Sequence, residues 1–264
     1  MALIFGAITP HPPLLLPSIG KGKEVRLTKT IQGFRALEEY FYTSKPDTVI
    51  IISPHGPITV DNFYMNVAER FRSELQDFGD MSTNLTFSGD IGFVSKIKEK
   101  CDQDCFPVKL LSQEALDYGT LVPLFFLTQH TPNIKIVPIS YSWLDYELHY
   151  RFGVILQQEI LNSSKRIAVI ASGDLSHRLT KEAPAGFSPH AQKLDETIIE
   201  AVQQKDKATL LHIDPLLVKE GNECGLRSLL ILLGIFNSVN YQPVIMSYEY
   251  PFGIGYLIAR FDVQ

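Results

Sequence analysis

The stretch Thr48-Val-Ile-Ile-Ile-Ser-Pro-His-Gly56 decides the fold. Residues 48–52 are all β-branched and uncharged. Such a run reads as a strand buried on both faces, the kind found inside a parallel sheet. Pro54 has no N–H to give a sheet ladder, so the strand ends there. His55 then falls just past the strand's C-terminal end, and Gly56 lets the backbone turn tightly behind it. In open α/β sheets that edge is where ligands bind. His55 is therefore read as a metal ligand, with other segments bringing further ligands and an acid–base group to the same edge.

The N-terminus has the same grammar. Residues 3–9 form an apolar run ended by Pro10, followed by His11-Pro12-Pro13. Residues 14–20 read as an irregular loop, because the preceding prolines disfavour a helix start. Helical spacing runs over 24–42, with Val25, Leu27, Ile31, Phe34, Leu37 and Phe41 on one face. Further helices are predicted over 93–100, 121–129 (with Asp117 as N-cap), 146–161, 191–204, 207–212 and 226–236. Strands are predicted over 63–67, 85–87, 108–111, 133–140, 166–171, 242–248 and 253–261. This alternation predicts an α/β fold: one three-layer α/β/α domain over 1–264, with a central mixed, largely parallel sheet.

Composition narrows the function classes. Hydrophobic residues make up 45% and charged residues 20%, as in an ordinary globular protein. The net charge of −5, without a basic block, disfavours nucleic acid and anionic membranes as partners. No apolar run approaches ~20 residues, so no membrane span is expected. The N-terminal residues lack a basic region and do not read as a signal sequence. Three cysteines, Cys101, Cys105 and Cys224, do not make an even disulfide framework, and a reducing, cytoplasmic setting is expected.

Several residues have chemistry to offer. His11, His55 and Glu223 together supply two imidazoles and one carboxylate, the facial triad of non-haem Fe(II) oxygenases. Such a set leaves the opposite face of the metal open for a substrate bound through two oxygens, with O₂ beside it. Read singly, each histidine fits a structural or surface role better than a ligand's, and Glu223 fits a carboxylate favoured by a helix dipole. Asp174 and His177 follow the third buried strand. Imidazole titrates near neutrality, which suits His177 to moving a substrate proton, with Asp174 orienting the ring. The same Ser172-Gly173-Asp174 run also reads as a plain strand-end turn. Cys224 is either a soft ligand or a small buried apolar residue. Cys101 and Cys105 have no second cysteine pair to complete a zinc site. His130, His149 and His212 are expected at the surface, and His190 on a loop. Dinucleotide, P-loop and nucleophile-elbow signatures are missing from the sequence.

Six short motifs occur in order: His11-Pro12-Pro13, Ser53-Pro54-His55-Gly56, Asp117-Tyr118-Gly119, Ser172-Gly173-Asp174-Leu175-Ser176-His177, Asn222-Glu223-Cys224-Gly225 and Tyr248-Glu249-Tyr250-Pro251-Phe252-Gly253. In this the chain resembles the class III extradiol dioxygenase superfamily, the LigB-like proteins. It is most similar to the branch of the AmmeMemoRadiSam system protein B and Memo-like proteins. The resemblance implies an iron site at the sheet edge, with His11 and His55 as ligands, Glu223 at the place of the family's carboxylate and His177 as the acid–base histidine. It implies cleavage of a small aromatic diol by O₂ on Fe(II), with Zn²⁺ as the alternative metal. It implies a homodimer or a partner protein of the AmmeMemoRadiSam system, and, as the other reading, a metal-binding protein without dioxygenase activity. Tyr118, Asp174 and His177 make up the expected catalytic set. Two departures stand out. Tyr118 occupies a position where many members have histidine; it donates a hydrogen bond but is no base at neutral pH. Memo-like relatives use a cysteine near the position of Cys224. Glu223 is taken as the third ligand because a hard carboxylate suits Fe(II), leaving Cys224 to pack in the helix interface.

Overall fold

A computed structural model describes residues 2–264. In chain order it runs β1 (Leu3–Thr9), α1 (Pro17–Gly20), α2 (Thr28–Ser44), β2 (Thr48–Ser53), β3 (Phe63–Asn66), β4 (Arg70–Ser73), β5 (Thr86–Gly89), α3 (Ile91–Gln103), β6 (Val108–Leu111), β7 (Ala115–Leu116), α4 (Tyr118–Leu127) and β8 (Lys135–Ser140). It continues through α5 (Tyr146–Leu161), β9 (Ile167–Ser172), α6 (Ala191–Gln204), α7 (Lys207–Leu211), α8 (Pro215–Gly221), α9 (Leu226–Ile235), β10 (Tyr241–Glu249) and β11 (Tyr256–Val263).

The sheet is ordered β10-β11-β1-β9-β2-β8 and then forks. The beginning of β8 pairs with β5 at Lys135 and Ile136, while its end pairs antiparallel with β3 at Ile139 and Ser140. The central strands β1, β9, β2 and β8 are mutually parallel, and β10 and β11 close one side antiparallel. The mixed, largely parallel centre is as the alternation of elements predicts.

Every residue of β2 is buried, as its unbroken β-branched run requires. Its side chains feed two separate cores. Ile50 and Ile52 join Val169 and Ala171 against α3, α5, α6 and α9; Val49 and Ile51 join Ala168 and Ile170 against α2 and α4. Two apolar cores on opposite faces of one sheet make the three layers. Full burial of each of these isoleucines is worth about 1.5–3 kcal/mol.

The prolines after His11 were misleading. Residues 13–15 and 17–20 form short helical turns, each with proline in the first helical position. Proline is favoured there because its missing N–H would be unpaired anyway. His149 also departs from expectation. It is fully buried, with Nδ1 2.7 Å from the Asp145 carbonyl and Nε2 3.0 Å from the Ser142 carbonyl.

Helix α9 is pressed backbone to backbone on α5. A Cβ on Gly234 would lie 2.1 Å from the Tyr150 carbonyl oxygen, and one on Gly153 the same distance from that of Ile231. Because α9 follows directly on Glu223 and Cys224, this contact fixes where those residues stand. Gly234→Ala is expected to cost about 1–3 kcal/mol, the usual cost of overpacking. Urea unfolding measures it, and an unchanged midpoint would show that the helices can part freely.

Candidate metal centre

Strands β1, β2 and β9 are parallel neighbours, so their C-terminal ends open on one edge. Thr9 is level with Ser172, and Ile52 with Ala171. Two or three residues further along each chain segment stand His11, His55 and Asp174. Helix α4 adds Tyr118 from its first turn, and the segment before α9 adds Cys224.

His11 Nε2 and His55 Nε2 are 2.9 Å apart, and Cys224 Sγ is 3.7 Å from His11 Nε2. One ligand atom from each of His11, His55 and Cys224 lies within 4.8 Å of the other two. Two nitrogens and a sulfur sharing a tetrahedral ion at ~2.0–2.3 Å would stand ~3.3–3.6 Å apart. The observed separations bracket that range, so the donor set fits a metal.

The surroundings set the ligand forms. The Ser172 hydroxyl donates to the Gly119 carbonyl at 2.5 Å, and so it accepts from His11 Nδ1 at 2.9 Å. That places the ring proton on Nδ1 and leaves the Nε2 lone pair for a cation. Burial, with His177 adding repulsion, pulls the His11 imidazole down to about 3. Burial and His11 pull His55 down to about 4. Both rings are neutral at pH 7, the form that ligates. Tyr118 lies nearly flat on His55, with centroids 4.1 Å apart, and its hydroxyl is 3.1 Å from His55 Nδ1. Burial pushes the Tyr118 phenol above its ordinary range, so it keeps its proton.

Asp174 ties the three loops together. Its Oδ1 accepts from the His11 N–H at 2.9 Å, and its carbonyl accepts from the Cys224 N–H at 3.1 Å. Its own N–H donates to Cys224 Sγ at 3.3 Å. This closeness needs glycine on both sides: a Cβ on Gly173 would lie 2.1 Å from Gly225 Cα. Burial raises the Asp174 carboxyl to about 6. Burial, then the charges of Asp174 and Glu223, raise the Cys224 thiol well above its usual range. A bound cation would reverse that bias, because a coordinating thiol gives up its proton.

His177 follows on the same loop. Its buried Nδ1 has no hydrogen-bond partner. A buried ring nitrogen without a partner is free to exchange a proton with a bound group. Glu223 is placed differently. Its Oε2 accepts from the Leu226 N–H at 2.6 Å, which ties it to the start of α9, and it is outside the His11–His55–Cys224 set.

Sequence reasoning missed the residues that hold this arrangement. In the sequence Ser172 reads as a turn former and a motif residue, with no sign of its contact to His11. Asp195, on α6, went unnoticed, yet it is buried and accepts from the Ser176 N–H at 2.9 Å and the Tyr248 hydroxyl at 2.7 Å. Tyr248 belongs to the last of the six motifs, which could have signalled a partner for the His177 loop.

The chain matches the family described as the catalytic LigB subunit of aromatic ring-opening dioxygenase, over residues 6–259. It belongs to the LigB family. Among curated relatives, Protein CA_C1420 of Clostridium acetobutylicum is 30% identical over 265 residues, covering 97% of this chain and 56% of that protein. The 2-aminophenol 1,6-dioxygenase beta subunit of a Pseudomonas species is 26% identical, covering 69% of this chain and 65% of that subunit. The LigB chain thus spans between half and two thirds of the length of these relatives. Its fold is shared by the uncharacterized protein JW3007 from Escherichia coli K12, with a TM-score of 0.70 over 97% of this chain and 99% of that one, at 15% identity. No helix among the described residues is long and apolar enough to cross a membrane.

Within this LigB centre, Ser172→Ala removes the acceptor that fixes the His11 tautomer. Metal affinity is expected to fall about 10–100-fold, as for other outer partners of ligating histidines. Competition against a chelator measures it; an unchanged affinity would show that the tautomer is set elsewhere.

Proposed function

We propose that this LigB-family chain is a metal-dependent ring-opening dioxygenase with His11, His55 and Cys224 as its protein ligands. The observation that carries the reading is the convergence of those three donor atoms at the C-terminal edge of the sheet. When bound there, a divalent cation supplies Lewis acidity and one coordination sphere in which substrate and O₂ can meet. The substrate class is an aromatic ring with two adjacent oxygen or nitrogen substituents. The diol comes from the extradiol resemblance and the aminophenol from the name of the Pseudomonas relative.

The chain's own residues take the remaining tasks. His177 accepts the proton of a substrate hydroxyl and later returns it, through whichever ring nitrogen faces the substrate. Asp174 holds His11 by its backbone N–H and keeps the His177 loop against Cys224. Tyr118, protonated, buttresses His55 and offers a donor without acting as a base.

The test is anaerobic loading of purified protein with Fe(II), and separately with Zn²⁺. A panel of catechols and 2-aminophenols is then exposed to O₂ and followed by oxygen uptake and product absorbance. Uptake that depends on both ring substrate and metal supports the reading. A loaded protein inert to the whole panel removes it.

A second reading has its own support: a thiol stands with the histidines, and Glu223 is tied to α9. Thiolate is a soft ligand that suits zinc better than an oxygen-activating Fe(II) triad. Under this reading the protein binds metal and acts with a partner protein, without dioxygenase activity. Zinc in protein purified without chelator, together with an inert panel and a co-purifying partner, selects it.

A further inference from the structure

Helix α6 supplies no metal ligand, yet two neighbouring residues in its first turn press on the segments around His177. Leu194 packs on the end of α8: a Cβ on Gly221 would lie 2.2 Å from Leu194 Cδ2. The Gly221 carbonyl in turn accepts from the His177 N–H at 2.9 Å and from the Ser176 hydroxyl at 2.8 Å. Asp195 is fully buried, and its Oδ1 accepts from the Ser176 N–H while its Oδ2 accepts from the Tyr248 hydroxyl. Gly255, at the approach to β11, completes the surround. Its N–H donates to the Ser176 carbonyl and its carbonyl accepts from the Leu175 N–H, both at 2.8 Å. A Cβ there would lie 2.1 Å from Asp195 Oδ2, so the approach is open to glycine alone.

The residue before His177 is thus held on three sides. Its carbonyl and hydroxyl meet backbone atoms, and its N–H meets the side chain of Asp195. Ser176 is itself fully buried, so without that acceptor its N–H would be left unpaired away from water. A buried carboxylate is costly unless it is paired. The hydrogen-bond donors to this one are a backbone N–H and a phenol, neither of them a cation. The same loop meets Cys224 two residues earlier, through the Asp174 N–H and carbonyl. Where Ser176 is held therefore decides how the His177 end of the loop lies against the Cys224 segment.

We propose that Asp195, steadied by Tyr248, is the positioning residue that sets the backbone of Ser176 and so the place of His177. The inference rests on the reading of His177 as the proton-transfer residue. Asp195 acts through the loop and not by contact with a substrate.

The test is hydrogen exchange of zinc-loaded protein, read by mass spectrometry on a peptide spanning 174–179 and on one from β2 as control. In Asp195→Leu the Ser176 N–H loses its acceptor, and loop exchange is expected to quicken about 10–100-fold with β2 unchanged. Asp195→Asn keeps an oxygen for that N–H, so its loop is expected to stay within about 3-fold of the unaltered protein. Tyr248→Phe removes the donor that steadies the carboxylate, and a quickening of about 3–10-fold is expected; this variant decides the question should Asp195→Leu not fold. Unaltered loop exchange in the folded variant overturns the proposal. So does exchange that quickens equally in β2, which would make Asp195 a general stabiliser. Turnover of a ring substrate adds a second readout. Asp195→Leu is expected to lower kcat about 10–100-fold with KM little changed, and to add nothing in a His177→Ala background. Equal losses in both backgrounds overturn the route through His177. Quickened loop exchange beside an inert substrate panel would remove the dioxygenase reading alone, and turnover beside unaltered loop exchange would remove the positioning role alone.

Discussion

Cys224→Ala is expected to empty the centre of metal, and Glu223→Gln to leave it loaded. The two side chains are adjacent in sequence, and the proposal makes only Cys224 a ligand. The Cys224 sulfur lies 3.7 Å from His11 Nε2, whereas the Glu223 carboxylate is engaged with the Leu226 N–H. Losing an outer partner of a ligand already costs 10–100-fold in affinity, so losing the thiolate itself should cost more than ~100-fold. Glutamine keeps an oxygen acceptor for the Leu226 N–H, so the start of α9 should survive in Glu223→Gln. Elemental analysis of the purified variants measures both. Metal lost from Glu223→Gln and kept by Cys224→Ala would reverse the assignment and restore the carboxylate triad expected from the sequence.

The second large effect concerns His177. His177→Ala should retain metal, because its ring is not among the three converging donors. Turnover of a ring substrate should fall roughly 10²–10⁴-fold, the usual contribution of a general acid–base group. Single-turnover kinetics on metal-loaded protein separate the two effects. If the variant came off the column without metal, His177 would be a ligand and the proton-transfer role would need another residue.

Much of this architecture could be read from the chain because its signals are local. The run at 48–52 has no charged residue and four consecutive β-branched apolar ones, so a doubly covered strand fits it. The Asp117 cap works through its own neighbour, accepting from the Thr120 N–H at 3.0 Å. The helix expected over 146–161 is found with those bounds. The fork at β8 was illegible, because pairing of its two halves with different strands is decided by distant partners. At the centre, the strand–proline–histidine pattern points to His11 and His55, whose Nε2 atoms lie 2.9 Å apart. The choice between Glu223 and Cys224 depends on which side chain the turn before α9 points inward. That direction is fixed by the contact of Gly173 with Gly225 and by the packing of α9 on α5, neither of which leaves a mark in the local sequence. His149 reads as a surface residue for the same reason, since part of what covers it comes from far along the chain: the Phe63 ring of β3, centred 4.8 Å from its own.

The proposed centre requires one sulfur to join two imidazole nitrogens at a shared ion. X-ray absorption at the metal edge of protein purified without chelator tests this directly. A first shell with one sulfur at ~2.3 Å and nitrogen or oxygen neighbours at ~2.0–2.1 Å is the predicted result. A shell of nitrogen and oxygen alone, unchanged in Cys224→Ala, would contradict it.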